Sequence, residues 1–227
     1  MKDTVLLLLW MALWGLGGVW IVRRAFNLRA NEELITGICV GLIFENWAAN
    51  LAAHVFPEVT AFWLGAVIVL VTGLAFSIKD LREDWRKLFR FKVSLLQVLL
   101  LMGMVYVFYM LGRGLAILDD YQNLPVTSLL AAGEVPPRFA LDPMVSFNYH
   151  YLVLLFSAQI MRIGDMYPWL ALDLARSIGF SIGLIMTGLY VQRITWSKMA
   201  GVVAGVVAAF GGGTRWLMLL LPLTIPV

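Results

Sequence analysis

"LDDYQNLPVTSLLAAGEVPPRFALDPMVSFNYHYLVLLF", from Leu118 to Phe156, separates two apolar runs in a chain that is mostly hydrophobic. It holds an adjacent pair of carboxylates, Asp119 and Asp120, together with four prolines and a Tyr-His-Tyr triplet. None of these helps a chain to cross a bilayer. The stretch therefore reads as an element placed outside the hydrocarbon, between membrane-spanning segments.

The rest of the composition sets that frame. Hydrophobic residues make up 61% of the chain and charged residues 14%, against about 25% charged in soluble domains, and the mean hydropathy is +0.86. An ordinary soluble domain is excluded, and the expected fold is an all-α, polytopic transmembrane helix bundle. The 17 Lys and Arg against 14 acids sit in short stretches between spans, so they read as a topology signal and not as a nucleic-acid footprint. The single cysteine, Cys39, lies in an apolar run; this excludes an intrachain disulfide framework or a Cys-based metal site. "MKDTVLLLLWMALWGLGGVWIVRR" lacks a positive n-region and a small-residue cleavage site, so it is expected to be a retained span and not a signal peptide.

A spanning helix needs roughly 20 mostly apolar residues. That rule places seven spans, near 4–22, 34–56, 59–78, 93–116, 146–163, 169–191 and 199–211. A further apolar piece, "WLMLLLPLTIPV", begins at Trp216. It is expected to be a short interfacial segment, or the point at which a longer protein continues. Residues 1–92 then form three spans with a basic cytoplasmic connector, and residues 93–227 form a second membrane module with an outer loop at 113–147.

Basic short loops stay cytoplasmic. Arg23, Arg24 and Arg29 in one loop and the run from Lys79 to Lys92 in another put the N-terminus and loop 113–147 on the non-cytoplasmic side of a plasma or inner membrane. With seven crossings Arg193 and Lys198 fall outside, against the rule. A re-entrant segment or one helix that does not cross would remove the conflict. Leu81, Trp85 and Leu88 recur at helical spacing under a charged face, the pattern of a helix lying in the headgroup layer; a solvated connector is the plainer reading.

Loops as long as 113–147 in a compact bundle are uncommon unless they bind, catalyse or are disordered. Residues 124–132 are apolar enough to lie along the membrane surface. In order, the chain presents "LDDY", "AAGEVPP", "DP" and "FNYHYLVLLFSA". This order resembles the GT-C superfamily of membrane glycosyltransferases, the dolichyl-phosphate-mannose-mannosyltransferase-like proteins among them. There a span ends in an acidic pair at the outer face, a surface helix closes on Gly-x-x-Pro, and the next span opens on aromatics. The likeness covers roughly residues 93–215 and leaves out the first three spans.

That resemblance implies an enzyme taking a sugar from a polyprenyl-phosphate donor. An acceptor hydroxyl or amide must lose its proton as it attacks the anomeric carbon, and a carboxylate within reach can take it. Asp119 or Asp120 would be that base, with Asp119, first of the pair, at the family's usual position. Arg138 could pair with a phosphate bidentately, and Tyr149 and His150 could contact donor or acceptor; a divalent metal is an option for such an enzyme. The plain alternatives are a helix cap or a wet boundary for the acids and interfacial anchoring for the tyrosines.

Within the second span, Asn46, Asn50 and His54 recur every four residues and form one stripe. Intramembrane polar groups mark functional positions by default, while Asn–Asn bonding between helices, eased by Ala48, Ala49, Ala52 and Ala53, is the structural reading. His54 also has the neighbours that would let it ligate a porphyrin-type metal. Asp173 and Arg176 are spaced to pair along one helix. A second functional class fits the same composition: a non-enzymatic accessory or scaffold subunit of a larger membrane complex, respiratory or photosynthetic, using nine Trp and thirteen Phe as contact surface. No inverted repeat marks a transporter.

Overall fold

The computed structural model describes residues 2–78, 82, 86, 95–114, 120–139, 141–147 and 151–211. Among them the chain is helical apart from one small hairpin. In order come α1 (Lys2–Ala25), α2 (Glu33–Ala53), α3 (Glu58–Phe76), α4 (Leu95–Gly114), α5 (Asp120–Ala131), β1 (Arg138–Phe139), β2 (Asp142–Ser146), α6 (Leu152–Gly164), α7 (Pro168–Thr195) and α8 (Lys198–Gly211). The expected helix at Leu81, Trp85 and Leu88 and the apolar piece from Trp216 lie outside the described residues.

Five helices, α1, α2, α3, α4 and α7, are long and apolar enough to cross a membrane. The runs expected to be the fifth and seventh spans differ. α6 has 13 residues and α8 has 14, or about 20 Å each at 1.5 Å per residue, short of the roughly 30 Å of hydrocarbon. Of the run expected at 146–163, Ser146 closes β2 and α6 begins only at Leu152, which leaves too few helical residues for a crossing.

α1, α2 and α3 pack on one another as a tight unit. Apolar helices in lipid gain little from burying more apolar surface, so close packing of small residues carries such contacts. Gly18 of α1 faces Gly37 and Gly41 of α2, and a Cβ on Gly18 would fall 2.6 Å from the Gly41 Cα. Against α3, a Cβ on Gly73 would fall 2.8 Å from the Gly17 Cα. Trp10, fully buried, donates from Nε1 to Phe62 O at 3.2 Å and stacks on Phe156 of α6 with ring centroids 5.9 Å apart.

α7 is the centre of the second half: α4, α8 and α6 all pack on it. Two ends of the bundle follow from the contacts. At the Glu32 end, Arg193 donates to Glu32 and to Asn27 O at 2.7 Å. Gln97 donates to Asn31 O at 2.6 Å, Arg23 pairs with Glu33 at 2.8 Å, and Arg29 lies 4.2 Å over the Trp196 ring. At the Glu58 end sit the α2–α3 turn, α5, the hairpin and both ends of α6. Arg193 and Lys198 therefore share an end with Arg23, Arg24 and Arg29, because α6 enters and leaves the bundle at the same end and does not count as a crossing.

Candidate functional site

The elements between α4 and α7 form a layer over the Glu58 end. α5 begins at Asp120 and lies against the bundle with Val126, Thr127, Leu130 and Ala131 buried. Pro125, the sixth residue of this helix, lacks the N–H that would bond the carbonyl of Tyr121. The helix closes on Gly133 in the left-handed region, φ 96°: Glu134 N–H reaches Leu129 O at 3.1 Å and Gly133 N–H reaches Leu130 O at 3.1 Å. This paired closure satisfies the last carbonyls and favours glycine. The Gly-x-x-Pro pattern of the sequence is thus a helix stop, set where a Gly133 Cβ would fall 3.3 Å from Glu58 Oε2.

The hairpin follows, β1 pairing antiparallel with β2. Phe139 and Phe147 stack with planes 9° apart and centroids at 6.5 Å, and Phe147 N–H donates to Pro137 O at 3.0 Å. These contacts seat the base of the hairpin, while Leu141, just before β2, and Met144, within it, stay exposed. α6 then runs through the interior with every residue from Leu154 to Ile160 buried. It stops at Asp165, in the left-handed conformation with φ 48°, which a short acidic side chain tolerates.

Beside this layer an apolar groove of about 470 Å³ opens between α4 and the start of α7, lined by Leu101, Met102, Val105, Tyr106, Tyr109, Met166, Leu170 and Leu174. Its volume is in the range of ligand sites, and its wall residues Met102 and Tyr106 are exposed. Arg113, one turn beyond Tyr109, has its guanidinium 5.9 Å from the Tyr109 ring. A Cβ on the neighbouring Gly112 would fall 3.4 Å from Asp173 Oδ1.

Of the residues singled out in the sequence, Asp119, Tyr149 and His150 lie outside the described residues. Asp120 opens α5. Arg138 is exposed on β1. The second-span stripe divides: Asn46 is buried and donates to Leu42 O at 3.0 Å, Asn50 accepts from Tyr151 Oη at 2.8 Å, and His54 is the exposed cap residue beyond the end of α2. Among the described residues no three His, Cys, Asp or Glu gather in a metal-holding group.

Two interior side chains were missed. Glu45 and Gln159, both fully buried, are joined by a 3.1 Å bond from Gln159 Nε2 to Glu45 Oε1. Their remaining oxygens, Glu45 Oε2 and Gln159 Oε1, have no hydrogen-bond partner. The signal was present, since a carboxylate inside an apolar run is a functional candidate by default; Glu45 stands directly before Asn46, and the four-residue spacing of the asparagines drew the reading past it. Comparison with protein-family models, curated proteins and solved structures finds no match for the chain.

Proposed function

We propose that this chain is the membrane module of a GT-C-like glycosyltransferase that takes a sugar from a polyprenyl-phosphate donor. The observation that carries the reading is the groove: its α4 wall runs toward Arg113, shortly before Asp119 in the chain, and Asp120 opens the next helix, α5. A long apolar chain would lie between α4 and α7 and enter sideways from the bilayer. Arg113 and Arg138 are exposed cations at this end of the bundle and would attract the donor phosphate. Asp119 or Asp120 would accept the proton of the acceptor as its oxygen or nitrogen attacks the anomeric carbon, and the polyprenyl phosphate would leave with the electron pair of the broken C–O bond.

The basic residues at the Glu32 end support a cytoplasmic location for that end, which would put the acidic pair and the hairpin on the outer face. A second reading, an accessory subunit of a larger membrane complex, draws on α4, whose described side chains include none that is buried. The two readings separate in one experiment on the full natural protein, purified in detergent and supplied with a polyprenyl-phosphate sugar. Transfer should occur, and Asp119→Asn or Asp120→Asn should lower it by about 100-fold or more, the scale of a lost general base. Absence of transfer by the wild type, or wild-type rates in both variants, sinks the enzyme reading.

A further inference from the structure

Three polar contacts fasten α6, and all three reach into the first three helices, the part of the chain outside the family resemblance. Tyr151 Oη, at the start of α6, donates to Asn50 Oδ1 at 2.8 Å. Gln159 Nε2, in its middle, donates to Glu45 Oε1 at 3.1 Å. Arg162 Nη2, in its last turn, donates to Glu58 Oε1 at 3.0 Å. Every donor is on the α6 side and every acceptor on α2 or α3. Positions 151, 155, 159 and 162 recur at helical spacing and share one face, on which Leu155 is also fully buried.

Such contacts specify position more than they add stability. An apolar helix among apolar helices can slide or rotate with little change in buried area, whereas a buried carboxylate and a buried amide that lose each other are left without a partner in a medium that offers none. Glu45 has Gln159 as its hydrogen-bond partner, and Glu45 Oε1 also lies about where Gly65 of α3 leaves room, 3.0 Å from a Cβ built on that glycine. Any larger residue at 65 would press on the pair.

The position of α6 bears on the groove. α6 ends at Gly164, Asp165 makes the left-handed turn, and Met166 is already a wall of the groove together with Leu170. We infer that Glu45, Asn50 and Glu58 are positioning residues: through Gln159, Tyr151 and Arg162 they set the register of α6 and with it the Met166 edge of the lipid groove. The N-terminal three-helix unit is then a part of the donor-binding apparatus and more than an anchor. In this form the inference rests on the transferase reading.

The test uses the full protein with Tyr151→Phe, which keeps the ring and removes the donor, and with Glu45→Leu and Glu45→Gln. Tyr151→Phe and Glu45→Leu should each raise KM for the polyprenyl donor about five-fold, the equivalent of one net hydrogen bond, with kcat within two-fold of wild type. Glu45→Gln keeps an acceptor for Gln159 and should restore KM. Unchanged KM in Tyr151→Phe and Glu45→Leu, or a loss confined to kcat, overturns the inference. If the wild type transfers no sugar, the transferase reading fails on that result alone, and positioning is read by hydrogen exchange. Faster exchange across 152–164 in Tyr151→Phe, with α3 unchanged, supports it, and unaltered exchange there overturns it.

Discussion

The Arg193 guanidinium donates to the Glu32 carboxylate across 161 positions of sequence, closing the C-terminal end of α7 onto the loop that enters α2. Glu32 is 4% exposed and also accepts from the Arg29 backbone N–H at 2.9 Å, while the Arg193 side chain is 43% exposed. A carboxylate so covered depends on its donors, and Arg193 joins the two halves of the bundle by bonding both Glu32 and Asn27 O.

Removal of that cation should therefore be felt. Arg193→Ala leaves Glu32 with the Arg29 contacts, and should lower stability by about 1–2 kcal/mol, kept to the lower range for a half-exposed partner. Arg193→Lys should recover part of the loss. The thermal unfolding midpoint in detergent measures both; an Arg193→Ala midpoint equal to wild type would mean that the pair contributes nothing.

The assignment of ends makes a labelling prediction. Single cysteines at Lys198 and Asn27 should react with a membrane-impermeant thiol reagent from one side of sealed vesicles, and a cysteine at Met144 from the other, in a Cys39→Ala background. Positive residues clustered at the Glu32 end predict that Lys198 and Asn27 are cytoplasmic. Labelling of positions 27 and 198 from opposite faces would contradict five crossings.

Close approach of α1 and α2 at Gly18 and Gly41 leaves no room for a side chain. Gly18→Val forces backbone atoms apart, and should cost about 1–3 kcal/mol or prevent assembly of the three-helix unit. Gly15, with open space around its Cβ direction, is the control: Gly15→Ala should leave the unfolding midpoint unchanged or raise it, since alanine is the better helix former.

Val105 lines the groove, and Val105→Trp should fill it. Binding of a fluorescent polyprenyl phosphate should weaken about ten-fold or more, as expected when a ligand pocket loses its space, with the unfolding midpoint within a degree or two of wild type. Unaltered binding would place the lipid chain elsewhere.

Much of the helical framework was legible because lipid demands it. The hydrophobic runs around Leu6, Ile35, Leu64, Leu100 and Ile182 had to become helices, since a backbone in hydrocarbon must satisfy its own hydrogen bonds, and five of them did so to within a few residues of the expected limits. "YLVLLFSAQIMRI" was misjudged for a physical reason. Hydropathy measures the cost of leaving water, and a helix buried among other helices pays the same cost as one crossing a bilayer, so α6 looked like a span. The conflict over Arg193 and Lys198 was the available warning.

The sequence alone determined that the chain carries several helices long and apolar enough to cross a membrane, and where those helices lie, because these depend on local composition and backbone chemistry. Only the tertiary structure decided that α6 enters and leaves at one end, that Glu45 meets Gln159 and Asn50 meets Tyr151, and that α4 and α7 leave a groove between them. Those outcomes depend on which faces of distant helices pack together, and contacts so far apart in the sequence leave no periodic trace along the chain.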